Sequence, residues 1–140
     1  MKFWDASALV PLYVQQSLTA RMRKLLRDDS SVVAWWGSPI ECVSAFCRLE
    51  REGALSNSQV NSAVRSLRSD MGAWHEVQPL SSVRSEAQRL LRVHSLRAAD
   101  SLQLAAAVVA SGGKPYRLGL VCSDERLASA AMREGFEVIA

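Results

Sequence analysis

Lys2-Phe3-Trp4-Asp5-Ala6-Ser7-Ala8-Leu9-Val10 passes from a short apolar strand, through one acid, into an apolar helix. No glycine-rich turn separates the two, which excludes a dinucleotide-binding first crossover. Ser7 stands two residues after Asp5, where a haloacid-dehalogenase-type phosphatase needs a second aspartate. A receiver domain would need an acidic pair before its phosphorylated aspartate and a late lysine, and neither is evident. The first helix is expected from Ser7 to about Val14, with Pro11 tolerable only in or near the first turn.

Outward from that stretch, short apolar runs alternate with helical periodicity. Leu18, Met22, Leu25 and Leu26 mark a second helix, and Val32 to Trp35 a second strand. Ser38-Pro39-Ile40-Glu41 opens a third helix, with Ile40, Val43, Phe46 and Cys47 facing inwards and Gly53 ending it. Ser56 to Gln59 is a capping box for a fourth helix carrying Val60, Ala63, Val64, Leu67 and Met71 on one face. Trp74 to Val77 reads as a third strand. Val83, Ala87, Leu90 and Leu91 mark a further helix. Arg97 to Ser111 is apolar almost all round and reads as a buried central helix. After the loop Gly112-Gly113-Lys114-Pro115 come a strand at Leu118 to Cys122, a helix from Glu125 to Glu134 closed by Gly135, and a last strand at Phe136 to Ile139. Strands alternating with helices imply an α/β fold, a mostly parallel sheet covered on both faces. With 140 residues and no linker or internal repeat, residues 1–140 are expected to form one domain.

Hydrophobic content of 49% and charged content of 22% are those of a soluble globular protein. Only two apolar residues follow Lys2 before Asp5, so the opening does not read as a secretion signal, and a cytoplasmic location is expected. The longest apolar stretch, Leu104 to Ala110, is too short to span a bilayer. Cys42, Cys47 and Cys122 are odd in number and read as small interior residues rather than a disulfide framework. His75 and His94 offer no finger-like zinc spacing with them. A net charge of +3, carried mostly by arginine, leans towards polyanionic partners.

Four acids then stand out: Asp5, Glu41, Asp100 and Asp124. Each has a local explanation. Asp5 caps the helix that follows, and Asp124 caps another after a strand. Asp100 sits where the macrodipole favours negative charge. Glu41 is the fourth residue of a capping box begun by Ser38. Their positions also share an address. If the first three strands build outwards and the chain then returns to the far side of strand 1, Asp5 and Asp124 flank the point where strand order reverses, where open parallel sheets bind ligands. At about 6 Å and an effective dielectric of about 20, each pair of carboxylates would repel by roughly 3 kcal/mol. Such a cluster raises its pKa values, recruits Arg97 or Arg126, or binds a hard cation, Mg²⁺ or Mn²⁺ rather than zinc. Ser7 and Ser123 are placed to support it by orienting a ligand carboxylate or a water.

The phrases Asp5-Ala-Ser-Ala-Leu-Val, Leu96-Arg-Ala-Ala-Asp100-Ser-Leu-Gln-Leu-Ala and Ser123-Asp-Glu-Arg-Leu-Ala, the last followed by Glu134-Gly-Phe, in this order, resemble the PIN-domain ribonucleases, and within them the VapC-type toxins of toxin–antitoxin pairs. The resemblance runs from Phe3 to Val138. It implies a three-layer α/β/α sandwich around about five strands and a Mg²⁺- or Mn²⁺-dependent endoribonuclease acting on RNA. The acidic quartet maps onto Asp5, Glu41, Asp100 and Asp124, with Asp5, Asp100 and Asp124 as metal ligands. It implies a homodimer restrained by a cognate VapB-type antitoxin, with no membrane partner. Two departures touch the substrate groove and antitoxin specificity: Trp35-Trp36-Gly37 before the Glu41 helix, and Gln103 where histidine is common in relatives. The alternative is a PIN-like module that binds RNA or antitoxin without cutting.

Trp4, Trp35, Trp36 and Trp74 lie near strand ends. Neighbours on a strand alternate faces, so one of Trp35 and Trp36 is expected in solvent. His94 reads as a half-buried packing residue. Arg84, Arg89, Arg92 and Arg97 read as solvated helix charges.

Overall fold

The computed structural model describes residues 1–140. Five short strands form its centre: β1 (Lys2–Trp4), β2 (Val32–Trp35), β3 (His75–Val77), β4 (Gly119–Val121) and β5 (Val138–Ile139). Every neighbouring pair is parallel, in the order β3-β2-β1-β4-β5. The chain therefore builds outwards from β1 through β2 to β3 and returns to the other side of β1, as the alternation of elements anticipates. Phe3 is in register with Val33 on one side and Leu120 on the other.

Seven helices cover the sheet: α1 (Ala6–Tyr13), α2 (Thr19–Asp28), α3 (Ser38–Arg51), α4 (Asn57–Met71), α5 (Ser81–Val93), α6 (Ala98–Ala110) and α7 (Glu125–Arg133). Strand side chains alternate between two cores. Phe3, Val33, Trp35, Leu120 and Cys122 pack with Val83, Leu90, Leu104 and Leu127 of α5, α6 and α7. Trp4, Val32, Ala34 and Val121 pack with Leu9, Met22, Phe46 and Leu67 of α1 to α4. The result is a three-layer α/β/α sandwich. Trp35 is buried, and Trp36 beyond it is 51% exposed. No helix is long and apolar enough to cross a membrane.

Local expectations met tertiary structure with mixed results. The Ser56–Gln59 capping box forms in both directions, at 3.1 and 2.8 Å. Gly53 and Gly135 follow α3 and α7 at φ of 78° and 100°, where only glycine is unstrained. Pro11, however, lies in the interior of α1 rather than its first turn. Proline has no N–H for the Ser7 carbonyl four residues back. The Ser123 hydroxyl fills that gap by donating to Ser7 O at 3.1 Å. The buried Thr19 hydroxyl then closes the end of α1, bonding the carbonyls of Pro11 and Val14 at 2.7 and 3.2 Å.

The inward line of α3 is Ser38, Cys42 and Phe46, and Ile40 is 71% exposed. Leu91 is likewise outside the α5 core line, and Cys47 is half-buried. Residues before β4 form a 3-10 turn at Pro115–Arg117, and β5 starts two residues later than its apolar run suggests. His94 is not a simple packing residue. It is buried, and its Nε2 meets Glu134 Oε2 at 2.7 Å.

Candidate active site

The carboxyl ends of β1 and β4 lie side by side where strand order reverses. Asp5 leaves β1 there and is tied to β4 by its backbone N–H, which donates to Val121 O at 3.0 Å. Asp124 follows β4 and caps α7, its Oδ1 accepting from Leu127 N at 2.9 Å. Glu41 stands in the first turn of α3, just after β2, and Asp100 in the first turn of α6.

Asp5 is only 4% exposed. Its Oδ2 accepts from Ser7 N at 3.1 Å, from the Ser7 hydroxyl, and from Cys122 Sγ at 3.6 Å. Burial pushes its carboxyl above the ordinary range despite these donors, and Asp124 pushes the same way. Ser7 and Ser123 support this carboxylate as a pair. Ser123 N donates to Ser7 Oγ at 3.0 Å, while Ser123 Oγ donates to the Ser7 carbonyl. The residue that frees that carbonyl, Pro11, thus helps to lock the loop after β4 against the start of α1.

Glu41 overturns its local explanation. Gly37, not Ser38, precedes the first turn of α3, and Ser38 is fully buried within it. Gln103 of α6 donates through Nε2 to Glu41 Oε2 at 2.7 Å and to Ser38 Oγ at 3.0 Å. Burial pushes Glu41 up to about 7; Gln103 opposes the shift, and Asp5 and Asp100 add to it. Asp5 thus feels Asp124, and Glu41 feels both Asp5 and Asp100, which links the four acids electrostatically.

Two cavities open on this group. The larger, about 760 Å³, is lined by Arg97, Asp100, Asp124, Glu125 and Arg126. The other, about 330 Å³, includes Ser7, Glu41, Arg48 and Asp124. Asp124 lies between them. Arg97 and Arg126 line the larger cavity with Asp100 and Asp124 but pair with neither acid. Arg48, Glu125 and Cys122 are additions to the site. Gln103, already singled out in the sequence for the groove, instead holds Glu41.

No protein-family model and no curated protein matches the chain. Seven chains of solved structures match it. One belongs to a toxin–antitoxin complex from Klebsiella pneumoniae, with a TM-score of 0.67 over 100% of this chain and 97% of that one. Sequence identity is 12%. The two chains share a fold.

No three Asp, Glu, His or Cys side chains are gathered closely enough to enclose a cation. Asp5, Asp100 and Asp124 share one sheet edge without forming a closed cage. Magnesium ordinarily takes one or two protein carboxylates and keeps several waters. An all-oxygen set in which burial and Asp124 raise the Asp5 carboxyl, with the raised Glu41 carboxyl beside it, fits such a hydrated hard cation.

The sign of the Glu41 shift gives a pH prediction. Its folded value, about 7, lies above the ordinary 4.5, so the folded state holds the proton more tightly between those values. The associated stability is present below 4.5 and lost as pH rises through about 7. Asp5 adds in the same direction. In chelator, the melting temperature of the wild type should fall through this window, and that of Glu41→Gln should fall less. Gln103→Leu removes the donor that lowers Glu41, so its inflection should move to higher pH. Superimposable profiles for all three proteins would remove Glu41 from this account.

Proposed function

We propose that the chain is a Mg²⁺- or Mn²⁺-dependent endoribonuclease, the toxin of a toxin–antitoxin pair. The observation that carries this reading is the gathering of Asp5, Glu41, Asp100 and Asp124 at the switch-point edge of a parallel sheet. The likeness to a chain of a toxin–antitoxin complex supports it at the level of fold. A cognate VapB-type antitoxin and a homodimer belong to the same reading.

Asp5, Asp100 and Asp124 would share in holding a cation that keeps much of its water, and when bound it would polarise the phosphodiester and activate water for in-line attack. Ser7 and Cys122 keep the buried Asp5 carboxylate in one orientation. Glu41, poised near neutrality and steadied by Gln103, takes the proton from the attacking water. As oxygen adds to phosphorus, the bond to the leaving ribose oxygen breaks, and that oxygen is protonated from solvent. Arg97 and Arg126 face the larger cavity and Arg48 the smaller, where they meet non-bridging phosphate oxygens.

RNA cleavage with Mg²⁺ or Mn²⁺ tests this directly. Cutting should stop in chelator, return with the metal, and be lost in Asp100→Asn. Equal cutting by every preparation would mean contamination and defeat the proposal. Growth arrest on expression that survives Asp100→Asn would instead favour a module that binds without cutting.

A further inference from the structure

A third cavity, of about 170 Å³, lies beside the carboxylate site and shares Arg126 with it. Its other lining residues are His94, Ser95, Ser129, Ala130 and Arg133. Arg126, Ser129 and Arg133 are spaced i, i+3 and i+7 along α7, so one helix face presents two guanidiniums with a hydroxyl between them. His94 and Ser95 close the opposite wall from the end of α5.

Neither arginine is committed to an acid. The ion pairs of this region belong to Arg89, which binds Glu86 and Glu134, and to His94, which binds Glu134. Glu134 is the nearby carboxylate that would oppose an anion. Its burial alone would push its pKa up, but Arg89 and His94 together hold it below the ordinary range. Its charge is thus already matched. His94 is held through Nε2, and its Nδ1 is one of three buried side-chain polar atoms left without a partner.

We propose that this cavity is a phosphate subsite for single-stranded RNA, taking a backbone phosphate that flanks the one at the carboxylates. The inference rests on reading the carboxylate site as a nuclease centre. Arg126 spans the two sites, and Arg133 lies about 10 Å further along α7. The strand then runs along α7 from the acids towards its carboxyl end. Arginine pairs with serine hydroxyls suit tetrahedral phosphate oxygens, and the contact is blind to base identity.

Fluorescence anisotropy with end-labelled oligoribonucleotides, in chelator so that no cleavage occurs, tests the subsite. Arg133→Gln should weaken binding of a longer oligomer about tenfold while leaving a dinucleotide unaffected. The slope of log affinity against log salt should become shallower by about 0.7, one phosphate's worth. Arg133→Lys should restore most of the slope. Arg133 is exposed at the end of its helix, so circular dichroism should be unchanged. Equal affinity and slope for wild type and Arg133→Gln would overturn the subsite. So would an effect of Arg133→Gln on binding of an acidic peptide but not of RNA, which would assign the cavity to a protein partner. If Arg133→Gln weakens RNA binding yet the wild type never cuts with metal, the subsite stands and the nuclease reading falls.

Discussion

If the chain is the proposed nuclease, Asp5→Asn should reduce metal-dependent RNA cleavage by about 10³-fold or more while leaving the ion-free fold at least as stable as the wild type at neutral pH. The first half follows from position. Asp5 leaves the central strand at the switch point, and its carboxylate is the most buried of the four acids. Loss of one preorganised electrostatic group in such a site typically costs about 10² to 10³ in rate, and a metal ligand sits at or beyond the upper end. The second half follows from the direction of its pKa shift. Burial raises the carboxyl, so holding the charge there without a cation opposes folding. Asparagine removes the charge, keeps the side-chain volume and still accepts from Ser7 N as a helix cap. Cleavage rates and ion-free melting curves of the two proteins check both halves. Activity within tenfold of wild type would take Asp5 out of the chemistry, and an unfolded variant would show that its role is structural.

Phe46→Ala should lose about 3–5 kcal/mol of stability, a large share of the roughly 5–15 kcal/mol typical of a domain. Phe46 is completely buried in the core beneath α1 to α4. Its ring meets Tyr13 of α1 edge to face, with centroids 6.4 Å apart at 65°. It therefore fastens the helix capped by Asp5 to the helix that carries Glu41. Denaturant unfolding should show a lower midpoint at unchanged slope, and Phe46→Leu should recover much of the loss. A cost below about 1 kcal/mol would mean that the seam between α1 and α3 relaxes around the missing ring.

The architecture was legible because its signals are local and periodic. The short apolar runs of β1, β2 and β4 mark strands whose side chains divide between two cores, and the helical stripes of α4 and α5 fill them. Sequence reasoning failed where a distant partner decides. Pro11 is tolerated inside α1 because Ser123, 116 residues from Ser7, bonds the orphaned carbonyl. The Ser38–Glu41 capping box does not form because Gln103, 62 residues from Glu41, takes both side chains. Ile40 faces solvent because the burial of Ser38 sets the phase of α3. Glu41, the acid that local chemistry explained best, is therefore held by a tertiary contact instead. Asp5 and Asp124 are helix caps as well as neighbours at the switch point, so their local and shared explanations both hold.

Binding of Mn²⁺, followed by the loss of its free-ion paramagnetic resonance signal, tests most directly whether the acids at the switch point bind a cation, with Glu41 beside it. It needs neither RNA nor an antitoxin. Wild-type protein should bind Mn²⁺ more tightly as pH rises through about 7, where Glu41 loses its proton. Asp5→Asn and Asp124→Asn should each abolish that binding, and Mg²⁺ should compete for it. Wild-type protein that leaves the free-ion signal unchanged, or variants that bind as well as wild type, would contradict the account.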